Sequence, residues 1–310
     1  FAEFVDICVI GEGEGITGRL LDVIYQGKEE GLSRQEILFN ASQLPGIYVP
    51  SLFTPLFDEE GRFAGYDVAE GVPKTICRYY EDLTREGETV IATDYTEFGA
   101  MYIVEVARGC GRHCRFCMAG YCYRTPRIRD LETLKAGVDR AAELGKKVGL
   151  MGAAISDYPQ IDELVNYIRS KNIRYSCASL RADSLTQDVV DGLADSGQKT
   201  ITIAPETGSD RLRDVINKGI TEDDLRKGAL LAAKSGVHHL RFYIMIGLPT
   251  ETDEDIQAIV DLAVRTRKYM EEVGSKGRLS LSINPFIPKP FTPFQWMAMD
   301  HQKTVEKKLQ

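Results

Sequence analysis

From Met101 to Phe286 the sequence changes period repeatedly, a short run of β-forming residues giving way to a longer helical stretch. Six strands read as "MYIVEVA" (Met101 to Ala107), "KVGLMGAA", "IRYSCASL", "KTITIAP", "HHLRFYIMIG" and "RLSLSINPF". Helices fill the gaps: one from about Leu131, then "QIDELVNYIRS", "TQDVVDGLADSG", "DRLRDVI", "TEDDLRKGALLAAKSG" and "TDEDIQAIVDLAVRTRKYM". Their ends carry physical signals. Thr221 with Asp224, and Thr252 with Asp255, have capping-box spacing. Gly145, Gly197 and Gly236 sit where a left-handed cap closes a helix. Strands separated each time by helix require crossover connections, hence a parallel sheet. The result is an α/β chain with a (β/α)6 unit, either an open sheet or a partial barrel. Spacing does not choose between the two.

The chain before this unit is less regular. "FVDICVIGEGEG" reads as a strand from Val5 to Ile10 ending in a glycine turn, and "ITGRLLDVIYQG" as a helix closed by Gly27. Strand, glycine turn and helix form the recurring unit of a doubly wound domain. G-E-G-E-G is not G-x-G-x-x-G, so it is weak evidence of phosphate binding, and a tight turn explains it equally. From Gly46 to Gly99, Pro45 just ahead of the stretch, Pro50 and Pro55 within it and the turn "DEEG" mark a connection with one hairpin. The expected domains are therefore 1–45, the C-terminal part of a Rossmann-like α/β domain; a linker, 46–99; the (β/α)6 core, 100–296; and the start of a C-terminal extension, 297–310. The chain opens on Phe1, which reads as a fragment lacking its N-terminus.

The chemistry concentrates in "RGCGRHCRFCMAG", which spaces Cys110, Cys114 and Cys117 as C-x3-C-x2-C. This loop follows the first strand of the unit, and parallel α/β sheets place ligand sites at the carboxyl ends of their strands. A structural zinc site takes four ligands and disulfides take pairs. A [4Fe–4S] cubane normally takes four thiolates, so three leave one iron open to a substrate or cofactor. A zinc knuckle completed by His113, or three structural thiols, is the bland alternative. Arg108, Arg112, Arg115, Arg124, Arg127 and Arg129 flank the cysteines, and no acid interrupts them, which suggests a positive field favouring thiolates and anions. Cys8, Cys77 and Cys177 read as buried small hydrophobes, and Cys122 has no assigned role. An odd cysteine count of seven and no secretory signal point to a reducing cytoplasm.

C-x3-C-x2-C with Phe116 before the last cysteine, heading a (β/α)6 unit, resembles the radical S-adenosylmethionine superfamily. "APETGSDRLRDVINKG" and "FYIMIGLPTET" resemble segments of the branch containing methylthiotransferases, oxygen-independent coproporphyrinogen oxidase and cobalamin-dependent radical enzymes. "FVDICVIGEGEGITGRLLDVI" resembles the last strand and helix of a cobalamin-binding domain, and "NPFIPKPFTPFQW" also fits that group. The resemblance covers nearly the whole chain. It implies a partial barrel, a [4Fe–4S] cluster on Cys110, Cys114 and Cys117, and S-adenosylmethionine chelating the open iron. One electron then cleaves the sulfonium to a 5′-deoxyadenosyl radical. Cobalamin is implied as a further cofactor, with the glycine turn of the chain approaching the corrin or its nucleotide tail, and methyl transfer or radical rearrangement as the reaction. No D-x-H-x-x-G histidine motif occurs in the sequence.

The resemblance also implies S-adenosylmethionine contacts. The Phe116 main chain would lie near the adenine, and Gly152 would admit the methionyl amino group, although Ala153 and Ala154 stand where an acid often follows. Arg181 would clamp a carboxylate, with an ion pair to Asp183 as its alternative. Glu206, past a strand ending at Pro205, would bind ribose hydroxyls or the methionyl ammonium. Leu248, with Pro249, would form an apolar floor. His238 and His239 open their strand at its amino end and read as structural. A one-electron reductant such as flavodoxin or ferredoxin is the implied partner. A net charge of −8 argues against general nucleic-acid binding, and no apolar run approaches a membrane span. The rival readings are a methylthiotransferase acting on RNA or protein, which would carry a second three-cysteine cluster, and a non-enzymatic iron–sulfur or zinc module. Only Cys8 and Cys77 precede the motif here.

Overall fold

The computed structural model describes residues 2–84, 87–177 and 180–310. Contacts divide the chain into two units, Phe1–Asp82 and Leu83–Gln310. The stretch expected as a linker is thus shared: 46–82 lies in the first unit and 83–99 in the second.

In the first unit, β1 (Cys8–Val9), α1 (Glu14–Glu29), α2 (Arg34–Ser42) and β2 (Ile47–Tyr48) enclose a small core of Ile16, Ala41, Ile47 and Val49. β1 pairs antiparallel with β2, not in the parallel manner of a doubly wound unit, and Gly11 adds a parallel bridge to Tyr79. Gly27 does not close α1. It is buried inside the helix, where an added Cβ would lie 2.7 Å from Ile37 Cγ1, so glycine here serves the packing of α1 on α2. The expected hairpin forms as β3 (Phe53–Phe57) and β4 (Phe63–Val68). Cys77 is exposed, contrary to its reading as a buried residue, and Cys8 is half-buried.

The second unit begins its regular structure with β5 (Met101–Glu105), β6 (Ala107–Arg108), α3 (Ala119–Cys122) and β7 (Arg127–Ile128). It continues through α4 (Leu131–Glu143), β8 (Lys147–Met151), α5 (Ile161–Ser170), β9 (Tyr175–Cys177) and α6 (Gln187–Asp195). Then come β10 (Thr200–Glu206), α7 (Asp210–Val215), α8 (Glu222–Lys234), β11 (His239–Ile246), α9 (Asp253–Glu272), β12 (Arg278–Pro285) and α10 (Gln302–Lys308). Positions 178 and 179 of the expected third strand lie outside the described residues.

Strands β5, β8 and β9 pair in parallel, as do β10, β11 and β12, and a parallel bridge from Leu180 to Ile203 joins the two sets. The order is therefore sequential along the chain. A doubly wound sheet reverses its order at a switch point, whereas sequential order is that of a barrel or part of one. The interior is apolar where periodicity requires it. Leu240, Phe242, Ile244 and Ile246 alternate inward along β11, and Ile161, Leu164, Val165 and Ile168 form one buried stripe on α5. Full burial of each such side chain contributes about 1.5–3 kcal/mol.

The local signals formed as written. Thr221 and Asp224 bond reciprocally, and the Asp255 carboxylate accepts from the Thr252 amide at 2.9 Å. Gly145, Gly197 and Gly236 are left-handed, with φ of 63°, 78° and 79°. Among the described residues no helix is long and apolar enough to cross a membrane.

Candidate active site

The cysteine loop leaves the carboxyl end of β5 and is closed at its neck by β6 and β7, which pair Ala107 with Ile128 and Arg108 with Arg127. Glycine makes the loop compact. Gly109 has φ 92°, and its added Cβ would lie 2.0 Å from the Tyr123 carbonyl oxygen; at Gly120 it would lie 2.2 Å from that of Arg112. The far side is fastened to the end of α7. Arg115 donates its amide to Ile216 O at 2.9 Å and its guanidinium to Asp214 O at 3.0 Å. His113 O accepts from Tyr121 Oη at 3.0 Å and Asn217 Nδ2 at 2.8 Å, while the His113 ring meets Tyr121 edge-on. Cys114 is buried, and Cys110 and Cys117 are half-buried.

The arginines are not a free positive field. Arg108 forks onto Glu105, and buried Arg129 donates to Glu105 and Leu83 O. Arg112 grips Asp157 through Nε and Nη2, both at 2.8 Å, and reaches Asp183 through Nη1 at 3.0 Å. Arg181 forks onto the same Asp183 and donates to Lys218 O at 3.0 Å. Asp157 follows β8 and Asp183 follows β9, so this network fastens the cysteine loop to its neighbours at the carboxyl face. Burial pushes Asp157 up, but Arg112, Ser184 and Arg181 together outweigh it and hold the carboxyl below its usual value. Burial raises the Cys114 thiol. Lys218 and Arg181 oppose that rise and Cys117 and Glu206 add to it, leaving the thiol above its ordinary value.

Phe116 and Glu206 come together in a cavity of about 290 Å³ at the carboxyl ends of β11 and β12, lined also by Tyr243, Met245, Asn284 and Lys289. Glu206 is the last residue of β10 rather than the first beyond it. The β10–β11 register shifts between Ile203 and Glu206, around Pro205, which has no N–H to donate. Its φ is 69°, a left-handed conformation uncommon for a residue with a side chain. Its carboxylate accepts from Lys218 Nζ at 2.8 Å, with the two side chains 12% and 8% exposed.

The other expected contacts are less direct. Leu248 is 3% exposed, in a cluster with Leu212, Ile216, Phe286 and Phe294 on which Phe116 packs. Gly152 has ordinary backbone, and its added Cβ would lie 3.3 Å from Ala107 O, so its small size serves packing at the root of the cysteine loop. Arg181 has the ion pair to Asp183 that was its alternative reading. Lys218 and Asp157 were not singled out from sequence, and Asp183 entered only as the ion-pair alternative for Arg181. For Lys218 a signal existed: "NKG" places it between two residues prone to left-handed turns, and Asn217 and Gly219 have φ of 53° and 64°.

Among the described residues no three His, Cys, Asp or Glu side chains gather around a single-ion position. A cubane is bound at separate corners by separate thiolates, so it needs no such convergence. The donor set fits one. Three thiols lie on one anchored loop, the Arg112 amide points at Cys110 Sγ at 3.4 Å, and cationic Lys218 and Arg181 act on Cys114. Hydrogen bonds to sulfur and nearby charge are the features by which proteins tune such clusters.

A family model described as the radical SAM superfamily matches residues 104–263, and one for the N-terminal region of radical SAM proteins matches residues 1–50. An uncharacterized protein of Methanocaldococcus jannaschii is 36% identical over 303 residues, covering 96% of this chain and 59% of its own length. The tRNA-2-methylthio-N(6)-dimethylallyladenosine synthase of Aquifex aeolicus is 24% identical, covering 61% of this chain and 44% of that protein. Among solved structures, the cobalamin-dependent S-adenosylmethionine radical enzyme OxsB superposes with a TM-score of 0.56 at 17% identity, over 98% of this chain and 45% of that one, a likeness of fold. The chain thus spans about half the length of the relatives it matches.

Proposed function

The chain belongs to the radical S-adenosylmethionine superfamily, and from that premise we propose a [4Fe–4S] enzyme that reductively cleaves S-adenosylmethionine and carries out methyl transfer or a radical rearrangement. The observation that carries this is a three-cysteine loop anchored at the carboxyl end of a parallel strand, with Phe116 of that loop lining a cavity beside Glu206. Cys110, Cys114 and Cys117 would hold the cluster. The chemistry it supplies when bound is one-electron cleavage of a sulfonium, giving a 5′-deoxyadenosyl radical.

The protein's own part is to hold and orient. The Arg112–Asp157–Asp183–Arg181 network keeps the loop in place. Glu206 would accept from the methionyl ammonium or ribose hydroxyls, and the Phe116 main chain would border the adenine. Leu248 would support that wall from beneath. Arg181 would reach a carboxylate only by sharing its fork with Asp183, and Gly152 would admit the cofactor past the root of the loop.

Cobalamin association is part of the proposal, supported by the likeness of fold to OxsB over both units. The glycine turn at 11–15 does not carry it. An added Cβ at Gly11 would lie 2.1 Å from Tyr79 O and at Gly15 2.0 Å from Glu81 Oε2, so the chain itself takes up the room that glycine leaves. A methylthiotransferase is the second reading, favoured by the Aquifex relative's activity. A flavodoxin or ferredoxin would supply the electron. Anaerobic reconstitution of the full-length protein with S-adenosylmethionine, followed by product identification, tests these readings. 5′-Deoxyadenosine with a methylated or rearranged product supports the first, and a methylthio product the second. Protein holding one zinc and no sulfide overturns both.

A further inference from the structure

Glu206 is an awkward residue to place where it lies. Its backbone is left-handed, its side chain is 12% exposed, and it shares a cavity with Phe116, which immediately precedes Cys117. A carboxylate there, beside thiols that must ionise to bind iron, adds negative charge to a site already rich in it. Buried charges persist when paired, and removing one partner leaves the other uncompensated. Lys218 is that partner, at 2.8 Å and 8% exposed. Its place is fixed from both sides. Asn217 donates to the carbonyl of His113, the residue before Cys114, and Arg181 donates to the Lys218 carbonyl. Of the other cations near the thiols, Arg112 is matched by Asp157 and Asp183 and Arg181 by Asp183, while Arg115 turns its guanidinium onto the Asp214 and Val215 carbonyls.

We propose that Lys218 is a positioning residue that balances the charge of Glu206 beside the cysteine loop, so that the pair is electrically neutral toward the cluster while its two members, taken singly, bias cluster reduction in opposite directions. This rests on the reading of Cys110, Cys114 and Cys117 as cluster ligands. Reduction adds negative charge, which a nearby cation favours and a nearby anion opposes. Loss of Lys218 leaves the anion and makes the cluster harder to reduce. Loss of the Glu206 charge leaves the cation and makes it easier. Loss of both restores balance.

The test is a double-mutant cycle on the anaerobically reconstituted chain, with iron content and midpoint potential measured in the absence of S-adenosylmethionine. Lys218→Met should shift the potential to more negative values, Glu206→Gln to more positive values, and the double variant should return near the wild type. Lys218→Arg, which keeps the charge, should titrate as wild type. A merely structural role would move both single variants alike, and that result, or no shift in either, overturns the inference. Should Lys218→Met fail to load iron, a double variant that loads and titrates as wild type supports the pairing. A double variant that stays empty while Glu206→Gln loads overturns it. A wild type that takes up no iron removes the parent reading and this inference together, whereas a loaded wild type with unresponsive variants removes this inference alone.

Discussion

The glycine turn at 11–15 and the cysteine loop at 109–126 both follow a strand, and both use glycine to let backbone approach backbone. What approaches differs. In the first unit Tyr79 and Glu81 move in, with the Glu81 amide donating to Glu12 at 2.8 Å and the Glu12 amide to Tyr79 O at 3.1 Å. In the second unit Gly109 and Gly120 let the loop's own carbonyls, those of Tyr123 and Arg112, come close, and the Arg112 amide reaches Cys110 Sγ at 3.4 Å. Glycine content alone therefore separates a filled turn from a site poorly. The side chains that glycine leaves facing the space decide it.

The largest expected effect breaks this contrast if it fails. Alanine at Cys110, Cys114 or Cys117 should abolish retention of about four irons per chain, whereas alanine at Cys8 or Cys177 should leave it intact. Cys177 is half-buried against the core rather than fully buried as its sequence suggested, and its thiol, pushed up to about 12 by burial, is inert. Iron lost equally from Cys177→Ala would mean the motif has no special status.

Next in size are the glycines. Gly11→Ala places a Cβ 2.1 Å from Tyr79 O at φ 126°, and overpacking with backbone strain should cost the first unit about 2–4 kcal/mol. Gly120→Ala places a Cβ 2.2 Å from Arg112 O and should cost iron occupancy instead. Thermal unfolding and iron analysis of the two variants separate the outcomes. If Gly11→Ala loses iron and Gly120→Ala keeps it, the two loops have been assigned the wrong way round.

The same contrast explains what was legible in the sequence. Strand runs, capping boxes and glycine stops depend on residues within a few positions, and they formed at Thr221, Thr252, Gly145, Gly197 and Gly236. The cysteine spacing was legible for the same reason. What was not legible depends on distant partners. The arginines looked like a free field because Arg112 finds Asp157 and Asp183 at separations of 45 and 71 residues. The strand Val5 to Ile10 looked like part of a parallel unit because its pairing with Ile47–Tyr48 leaves no local mark. Glu206 was found, but not its left-handed backbone or its partner, since the register shift around Pro205 arises only when β11 is laid beside it.

A smaller effect sharpens the role of the cavity. Glu206→Gln keeps the shape and removes the charge. It should retain iron but weaken S-adenosylmethionine binding roughly ten-fold, about 1.4 kcal/mol. Anaerobic titration at matched iron content checks this, and equal affinities would leave Glu206 with its Lys218 pairing alone.

The smallest expected effect concerns a carboxylate that serves the carboxyl-face loops without touching the cavity. Asp255 lies in the first turn of α9 and accepts from the Thr252 amide, from Ser209 Oγ beyond β10, and from Arg211. Burial pushes its pKa up, but Arg211, Ser209 and Thr252 outweigh that and hold it at about 2, below its ordinary 3.8. A carboxyl whose pKa is depressed on folding stabilises the native state above its unfolded pKa and loses that contribution as pH falls through the folded value. The window is therefore about pH 4 down to about pH 2, and near neutrality the contribution is complete. The shift alone would correspond to about 2 kcal/mol. Arg211 is half-exposed, so solvent screening should bring the effect toward about 1 kcal/mol. Asp255→Asn should thus lower stability modestly at pH 7, and its deficit relative to wild type should shrink as pH is lowered through that window. Denaturant titrations of the two proteins at neutral pH and near pH 3 measure it. A deficit that stays constant with pH would mean that Asp255 acts by shape rather than by charge.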